Sequence, residues 1–356
     1  MPNHTPPEQD LLLSEFLPKP QLVTAETVIT TPQFPVIDAH NHLGEDFGGG
    51  WCNRPVAELL DVLDEAGIHA LVDLDGGWGE DILQQRLDTF KTAVPERFCF
   101  FGGVDWTQWP AQGDNFGEWA AQRLREQARW GAQGLKVWKH LGLHIRDQHN
   151  ALVPIDDARL DPVWATAGEL GLPITTHIAD PVAFFNPLDA TNERWEELHA
   201  HPDWAFNGPE FPPFMDLMNQ FANVIRRHPN TTFIGAHLGC YAENLGWVGQ
   251  LLDECPNFHV DVSARMAEIG RQPYTARRFF IKYADRILFG LDGAANVDDY
   301  RLYYRFLETA DEYFNYTRYY RPTQGRWQVY GLYLPADVLA KIYHENAVRL
   351  IPGLTI

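Results

Sequence analysis

Short apolar runs alternate with amphipathic stretches along most of this chain. Val36-Ile37-Asp38-Ala39-His40-Asn41-His42 opens the series as a strand. Residues 54–67 then place Val56, Leu59, Leu60 and Leu63 at helical spacing, with Gly67 as a stop. The pattern goes on to predict strand 68–74, helix 81–94, strand 98–104, helix 116–130 and strand 135–138. Helix 161–170, strand 173–177, helix 214–227, strand 232–236 and helix 245–254 follow. Strand 258–262, helix 274–283, strand 286–289 and a closing helix over 338–350 complete the series. Eight apolar runs separated by helices imply parallel strands joined by crossover helices. That count fits a (β/α)8 TIM barrel. An open doubly wound sheet would share the local signal. The first strand, however, runs into His-x-His where a dinucleotide fold would carry its glycine fingerprint.

Two segments stand outside the alternation. Residues 1–35 hold Pro2, Pro6, Pro7, Pro18, Pro20, Pro32 and Pro35 without a helical period, and read as an irregular N-terminal arm. Residues 36–356 form the single barrel domain, with a long insertion over 180–213 after the fifth strand. That insertion is rich in aromatics (Phe184, Phe185, Trp195, Trp204, Phe206, Phe211) and reads as a lid or a dimer contact. Tyr316, Tyr319, Tyr320, Trp327 and Tyr330, within 313–333, read as rim packing or as a surface for stacking carbohydrates or arenes. Gly48-Gly49-Gly50 lacks the spacing and the Lys-Ser/Thr of a phosphate loop, so a loop at the rim of a site is the expectation.

Composition narrows the partners. The 356 residues are 45% hydrophobic and 21% charged, ordinary globular values. A net charge of −20 disfavours nucleic acid and anionic lipid. No run approaches the roughly 20 apolar residues of a membrane span, and the first ten residues lack the features of a secretory signal. A cytoplasmic protein is expected. Cys52, Cys99, Cys240 and Cys255 are widely spaced, with no Cys-x-x-Cys, and read as reduced thiols.

The candidate chemistry lies at the strand ends, where barrel enzymes keep their active sites. Strand parity projects His40 and His42 to one face, with Asp38 beneath them. Two converging imidazoles can begin a divalent-metal site, although a structural pair or a polar strand end is the commoner explanation of His-x-His alone. The fifth strand ends in His177, the sixth in His237 and the eighth in Asp292, while the fourth carries Lys136. Parity places Lys136, Trp138 and His140 on one face and Lys139 on the other. An inward lysine needs a partner: a carboxylate, an anionic substrate group, or carboxylation of its own amine.

Asp38-Ala39-His40-Asn41-His42, the single histidines ending strands five and six, and Asp285-Arg286-Ile287-Leu288-Phe289-Gly290-Leu291-Asp292 resemble the amidohydrolase superfamily. The likeness is to its "amidohydrolase 2" branch, which includes aminocarboxymuconate-semialdehyde decarboxylases and related lactonases. His344-Glu345-Asn346-Ala347-Val348-Arg349-Leu350 is similar to that branch's closing helix, and the resemblance spans 36–354. It departs at Gly290-Leu291-Asp292-Gly293, where Gly-Ser/Thr-Asp-x-Pro is more usual, and at Lys136 and Lys139. The resemblance implies one divalent cation, Zn²⁺ or Mn²⁺, on His40, His42, His177 and Asp292, and a second where Lys136 is carboxylated. It implies acid–base roles for Asp292 and His237. Arg146, Asp180 and Arg265, on loops after strands four, five and seven, are candidate substrate contacts. The expected activity is metal-dependent hydrolysis of an amide, ester or lactone of a small organic acid. Non-oxidative decarboxylation is the alternative, and a catalytically silent ligand-binding barrel a third reading. The expected partners are a small-molecule substrate and a second copy in a homodimer.

Overall fold

The computed structural model describes residues 12, 15–45, 48–319 and 323–356; the proline-rich first residues and Tyr320 lie outside this set. Eight parallel strands follow chain order around the sheet: β1 (Val36–Asn41), β2 (Ile68–Asp73), β3 (Phe98–Gly102), β4 (Gly134–Val137), β5 (Ile174–Thr176), β6 (Phe233–Gly235), β7 (Phe258–Asp261) and β8 (Ile287–Leu288). Ala39 N–H donates to Phe289 O at 2.9 Å and Asp292 N–H to His40 O at 2.8 Å, which joins the last strand to the first. The expected (β/α)8 barrel is the observed fold.

The crossover helices are α1 (Val56–Ala66), α2 (Glu80–Arg86), α3 (Phe116–Trp130), α4 (Asp161–Glu169), α5 (Phe214–Arg227), α6 (Leu245–Glu254), α7 (Pro273–Lys282) and α8 (Val297–Glu308). α1 buries Leu59, Leu63 and Ala66 and ends where Gly67 adopts φ 77°, its N–H capping the carbonyls of Leu63 and Asp64. α8 was not among the expected elements. Its core face is built largely from Tyr300, Tyr303 and Tyr304, residues that hydropathy reads as ambiguous.

Strand alternation divides the apolar residues into two layers. Val36, Leu71, Phe98, Phe100, Leu135, Val137, Ile174, Phe233, Phe258, Val260 and Phe289 pack beneath the helices. Ile37, Ala39, Ala70, Val72, Cys99, Phe101, Ile234 and Leu288 fill the barrel and meet Ala347, Ile351 and Leu354 of the closing segment. That segment runs as Ala336–Ala340, a wider turn over Lys341–Glu345, and Asn346–Leu350. Asn346 donates to the carbonyls of Ala284 and Ile287, both at 2.7 Å, and so ties the plug to β8.

The arm lies over α8 without regular structure: Thr27 donates twice to Asp311, and Arg305 and Arg301 donate to the carbonyls of Ala25 and Thr30. The insertion docks on the barrel through Arg194 to Glu268 and Glu193 to Arg271, with Glu197 of the insertion itself also pairing with Arg194. Trp327 packs against Arg271, 4.1 Å from the guanidinium carbon to the ring centre, which supports rim packing for the 313–333 stretch. The four cysteines are free, and no helix among the described residues is long and apolar enough to cross a membrane.

Candidate metal centre

The site begins with an irregularity in β1. Asp38 pairs with Leu71 and Asn41 with Asp73, so three steps on β1 oppose two on β2, a bulge. The extra residue breaks the parity assumed from the sequence. Ala39 faces the barrel interior, yet His40 turns inward as well. Asp38 therefore does not lie under the imidazoles. It accepts hydrogen bonds from Tyr300 Oη (2.7 Å), Asn41 Nδ2 (2.6 Å) and the N–H of Leu291 (3.1 Å) and His40 (3.2 Å), bracing β1 against β8 and α8. Burial raises its pKa to about 6 against those bonds.

Each imidazole of the pair is backed by its own carboxylate. His40 Nδ1 lies 2.8 Å from Asp261 Oδ2 and His42 Nδ1 2.8 Å from Asp75 Oδ1. Burial raises the pKa of Asp261, but His40 and His237 outweigh it and hold the group well below the usual carboxylate range. An ionised Asp261 accepts the Nδ1 proton, which leaves the Nε2 lone pair of His40 facing inward. The other oxygen of Asp261 is committed to the N–H of His237 (3.0 Å) and of Ser263 (3.1 Å) and to the Ser263 hydroxyl (2.5 Å). Asp75 is held by the N–H groups of Leu43 and Gly44 and by Arg86. Gly77 lets this turn lie against β4: a Cβ there would come within 2.5 Å of Trp138 Nε1 and 2.8 Å of the Lys136 side chain.

The Nε2 atoms of three histidines converge on Asp292. His42 Nε2 lies 3.1 Å and His40 Nε2 3.6 Å from its Oδ1, and His237 Nε2 lies 3.5 Å from its Oδ2. Ligands at 2.0–2.2 Å around a tetrahedral ion would be about 3.4 Å apart. Among the described residues, His40, His237 and Asp292 have donor atoms all within 4.8 Å of one another, a group able to hold a cation, while His42 joins it through Asp292 and also groups with Asp73 and Asp75. Imidazole with carboxylate suits Zn²⁺ and Mn²⁺. Asp292 sits at φ 56° after β8, and His237, Leu238 and Cys240 have φ between 55° and 61° after β6. Left-handed conformations at non-glycine residues cost roughly 1–3 kcal/mol each and gather where function demands a special geometry. His237 Nδ1 is 2.9 Å from the carbonyl of Ser263, which leaves its Nε2 as an acceptor aimed at the centre. Burial, reinforced by the Arg265 charge, keeps this imidazole neutral.

The remaining predicted residues divide. His177 stacks edge-on against His237 (ring centres 4.5 Å apart), but its Nε2 is bonded to Asp180 at 3.2 Å. Asp180 also pairs with Lys139, so it braces the wall instead of facing a substrate. Lys136 is buried, with Nζ 3.4 Å from His40 Nε2 and 4.5 Å above the Trp138 ring, and has no carboxylate partner among the described residues. Burial lowers its pKa to about 8, while Asp292 and Asp261 pull the other way. Arg265 is buried beside the centre and gives one N–H to the Ala264 carbonyl. Arg146 is on the outer loop, bonded to the Asn150 carbonyl. Asp75, Asp261 and Ser263 were missed from the sequence. Asp261, as the last residue of an apolar strand, carried the same signal as Asp292.

The family model described as amidohydrolase (Amidohydro_2) matches residues 37–353. The chain belongs to this family. No curated protein matches its sequence significantly. Among solved structures, 2,6-dihydroxybenzoate decarboxylase from Rhizobium is 17% identical, covers 88% of this chain and 98% of its own, and superposes with a TM-score of 0.54. A dihydroxybenzoic acid decarboxylase from Polaromonas sp. JS666, with bound manganese and 2-nitroresorcinol, is 17% identical over 88% and 96% at 0.52. A TIM-barrel protein, Bb4693 from Bordetella bronchiseptica, is 15% identical over 88% and 97% at 0.54. At these identities the likeness to the solved structures is one of fold.

Proposed function

We propose that this amidohydrolase hydrolyses an amide, ester or lactone of a small organic acid at a divalent-metal centre. The observation that carries the reading is the pair of carboxylate-backed imidazoles whose Nε2 atoms face Asp292 at 3.1 and 3.6 Å. A bound cation supplies Lewis acidity, polarising a carbonyl and acidifying water. His40, His42 and Asp292 would hold the ion, and His177 is the fourth expected donor, its Nε2 bonded here to Asp180. Zn²⁺ fits these donors, and Mn²⁺ is the second choice. His237, neutral and with an unprotonated Nε2 at the centre, takes a proton from the attacking water and returns it to the leaving group. Asp261 holds the His40 ring in the productive tautomer, and Arg265 offers a fork for a substrate carboxylate.

Lys136 separates a one-ion from a two-ion form. With a free amine one ion is held. Carboxylation would turn Lys136 into an anionic donor beside His40, able to help hold a second ion. Metal analysis with intact-mass measurement checks this: one ion and an unmodified mass support the first form.

Decarboxylation is the second reading, favoured by the fold shared with two decarboxylases, one of them holding manganese. Product analysis tests the choice. Incubating the metal-loaded enzyme with small esters, lactones and amides, and in parallel with aromatic and unsaturated acids, should give hydrolysis without CO₂. Release of CO₂ with no hydrolysis would transfer the assignment. A cytoplasmic setting belongs to the same proposal and rests on the four unpaired cysteines.

A further inference from the structure

The loop after β4 carries four basic residues within eight positions, Lys139, His140, His144 and Arg146, in a chain of net charge −20. Two of them are accounted for. Lys139 pairs with Asp180, and Arg146 gives an N–H to a backbone carbonyl. The acidic neighbour, Asp147, is turned away: it binds Arg159 and accepts the N–H groups of His149 and Ala151. The imidazoles of His140 and His144 have neither a hydrogen-bond partner nor a carboxylate partner among the described residues, and the rings lie 5.6 Å apart.

These imidazoles form one side of the mouth. Trp138 stacks on His42 (5.2 Å, 27°) and Trp78 stacks on Trp138 (4.1 Å, 24°). His140 meets Trp78 edge-on at 5.3 Å. His144 is backed by Phe211 (5.6 Å) and Phe206 (6.2 Å) of the insertion. A ladder of ring contacts therefore leads from a proposed metal ligand to two unpartnered imidazoles, along a half-exposed Trp78. Besides burial, the charges of Lys139 and Arg146 make protonation of His144 less favourable, and His144 and Lys139 do the same for His140. A field that repels a proton attracts an anion, and an imidazole N–H can donate to a carboxylate.

We propose that His140 and His144 form an anion-recognition subsite on the β4 rim, holding a carboxylate remote from the acyl group that reacts at the metal centre, so that the acid released by hydrolysis is a dicarboxylate. The proposal names a substrate class for the site described above and rests on that metal reading. The substrate body lies along Trp78, and Arg146 adds long-range attraction. Dicarboxylates are selected over monocarboxylates because only they bridge both ends.

The test uses the full-length, metal-loaded protein, tryptophan fluorescence, and two probes, isophthalate and benzoate. Wild type should bind isophthalate ~10-fold more tightly, the value of one good charge-assisted contact. The H140Q/H144Q variant should lose that preference, with metal content and benzoate affinity unchanged. If this variant does not fold by circular dichroism, H144Q alone, at an exposed position, should still reduce the preference. Equal binding of the two acids by wild type overturns the proposal, as does a preference that survives in the variant. An equal fall for both acids overturns it too, because it assigns the imidazoles to structure. Failure to take up metal would instead overturn the proposed centre. The bridging proposal, which needs the ion at one end, would fall with it.

Discussion

Replacing Asp261 by asparagine should damage metal binding more than replacing it by alanine, an order that follows from the hydrogen bonds around one carboxylate. Oδ1 of Asp261 accepts from three donors, the N–H of His237, the N–H of Ser263 and the Ser263 hydroxyl, while Oδ2 faces His40 Nδ1 at 2.8 Å. In Asp261→Asn the amide oxygen must stay with the three donors, so the NH₂ group faces His40. An N–H cannot oppose an N–H at that distance. His40 must move its proton to Nε2, the atom that faces Asp292, and a protonated Nε2 cannot ligate a metal. Losing the carboxylate behind a ligating histidine typically costs 10–100-fold in affinity. The wrong tautomer should bring the upper end, ~100-fold or roughly 2.7 kcal/mol. Asp261→Ala leaves His40 free to choose its tautomer, and the expected loss is about 10-fold. Stability should show the reverse order. Alanine strands the buried N–H groups of His237 and Ser263 at roughly 1–3 kcal/mol each, whereas asparagine keeps their acceptor. Competition with a fluorescent chelator gives the affinities, and urea unfolding of the metal-free proteins gives the stabilities. An alanine variant that binds metal more weakly than the asparagine variant would refute the tautomer argument.

Other outcomes follow from neighbouring features. Asp38 has a folded pKa near 6, above its ordinary 3.8, so the folded state holds that proton more tightly. Its contribution is present at low pH and is lost as pH rises from about 4 to 6, by at most roughly 3 kcal/mol. The stability of wild type relative to Asp38→Asn, both metal-free, should fall across that window; a difference independent of pH would contradict the assignment. Ile351→Ala opens a cavity in the plug below the barrel and should cost about 2–5 kcal/mol in urea unfolding while leaving metal affinity intact. Saturating metal should raise the melting temperature of wild type, since an ion at 1,000 times its Kd contributes about 4.1 kcal/mol. Asp292→Ala should show no such rise in a thermal scan.

How far the sequence carried can be seen at individual strand ends. Asp292, His237 and His177 each follow an apolar run in a protein whose alternation already implied a barrel, and a barrel places such residues on one face. Lys136 was readable as inward-facing because β4 is regular, so alternation holds. The same rule failed at Asp38. One extra residue in β1 reverses parity, and nothing in the local sequence marks the bulge, because its cause is the pairing with β2. The pairing of Asp75 and Asp261 with imidazoles was out of reach for a related reason. Their roles depend on imidazoles 33 and 221 positions away, a proximity that only the closed barrel creates. The unpartnered state of His140 and His144 is likewise a property of the folded mouth, and so is the turning of His177 toward Asp180.

The central claim is that His40, His42 and Asp292 surround a divalent cation. It is tested most directly by adding Zn²⁺ or Mn²⁺ to chelator-stripped protein and measuring bound metal per chain by calorimetry and elemental analysis. Wild type should bind stoichiometrically, and His40→Ala and Asp292→Ala, each still folded by circular dichroism, should both lose that binding. Full occupancy in both variants, or no uptake by the wild-type chain, would contradict it.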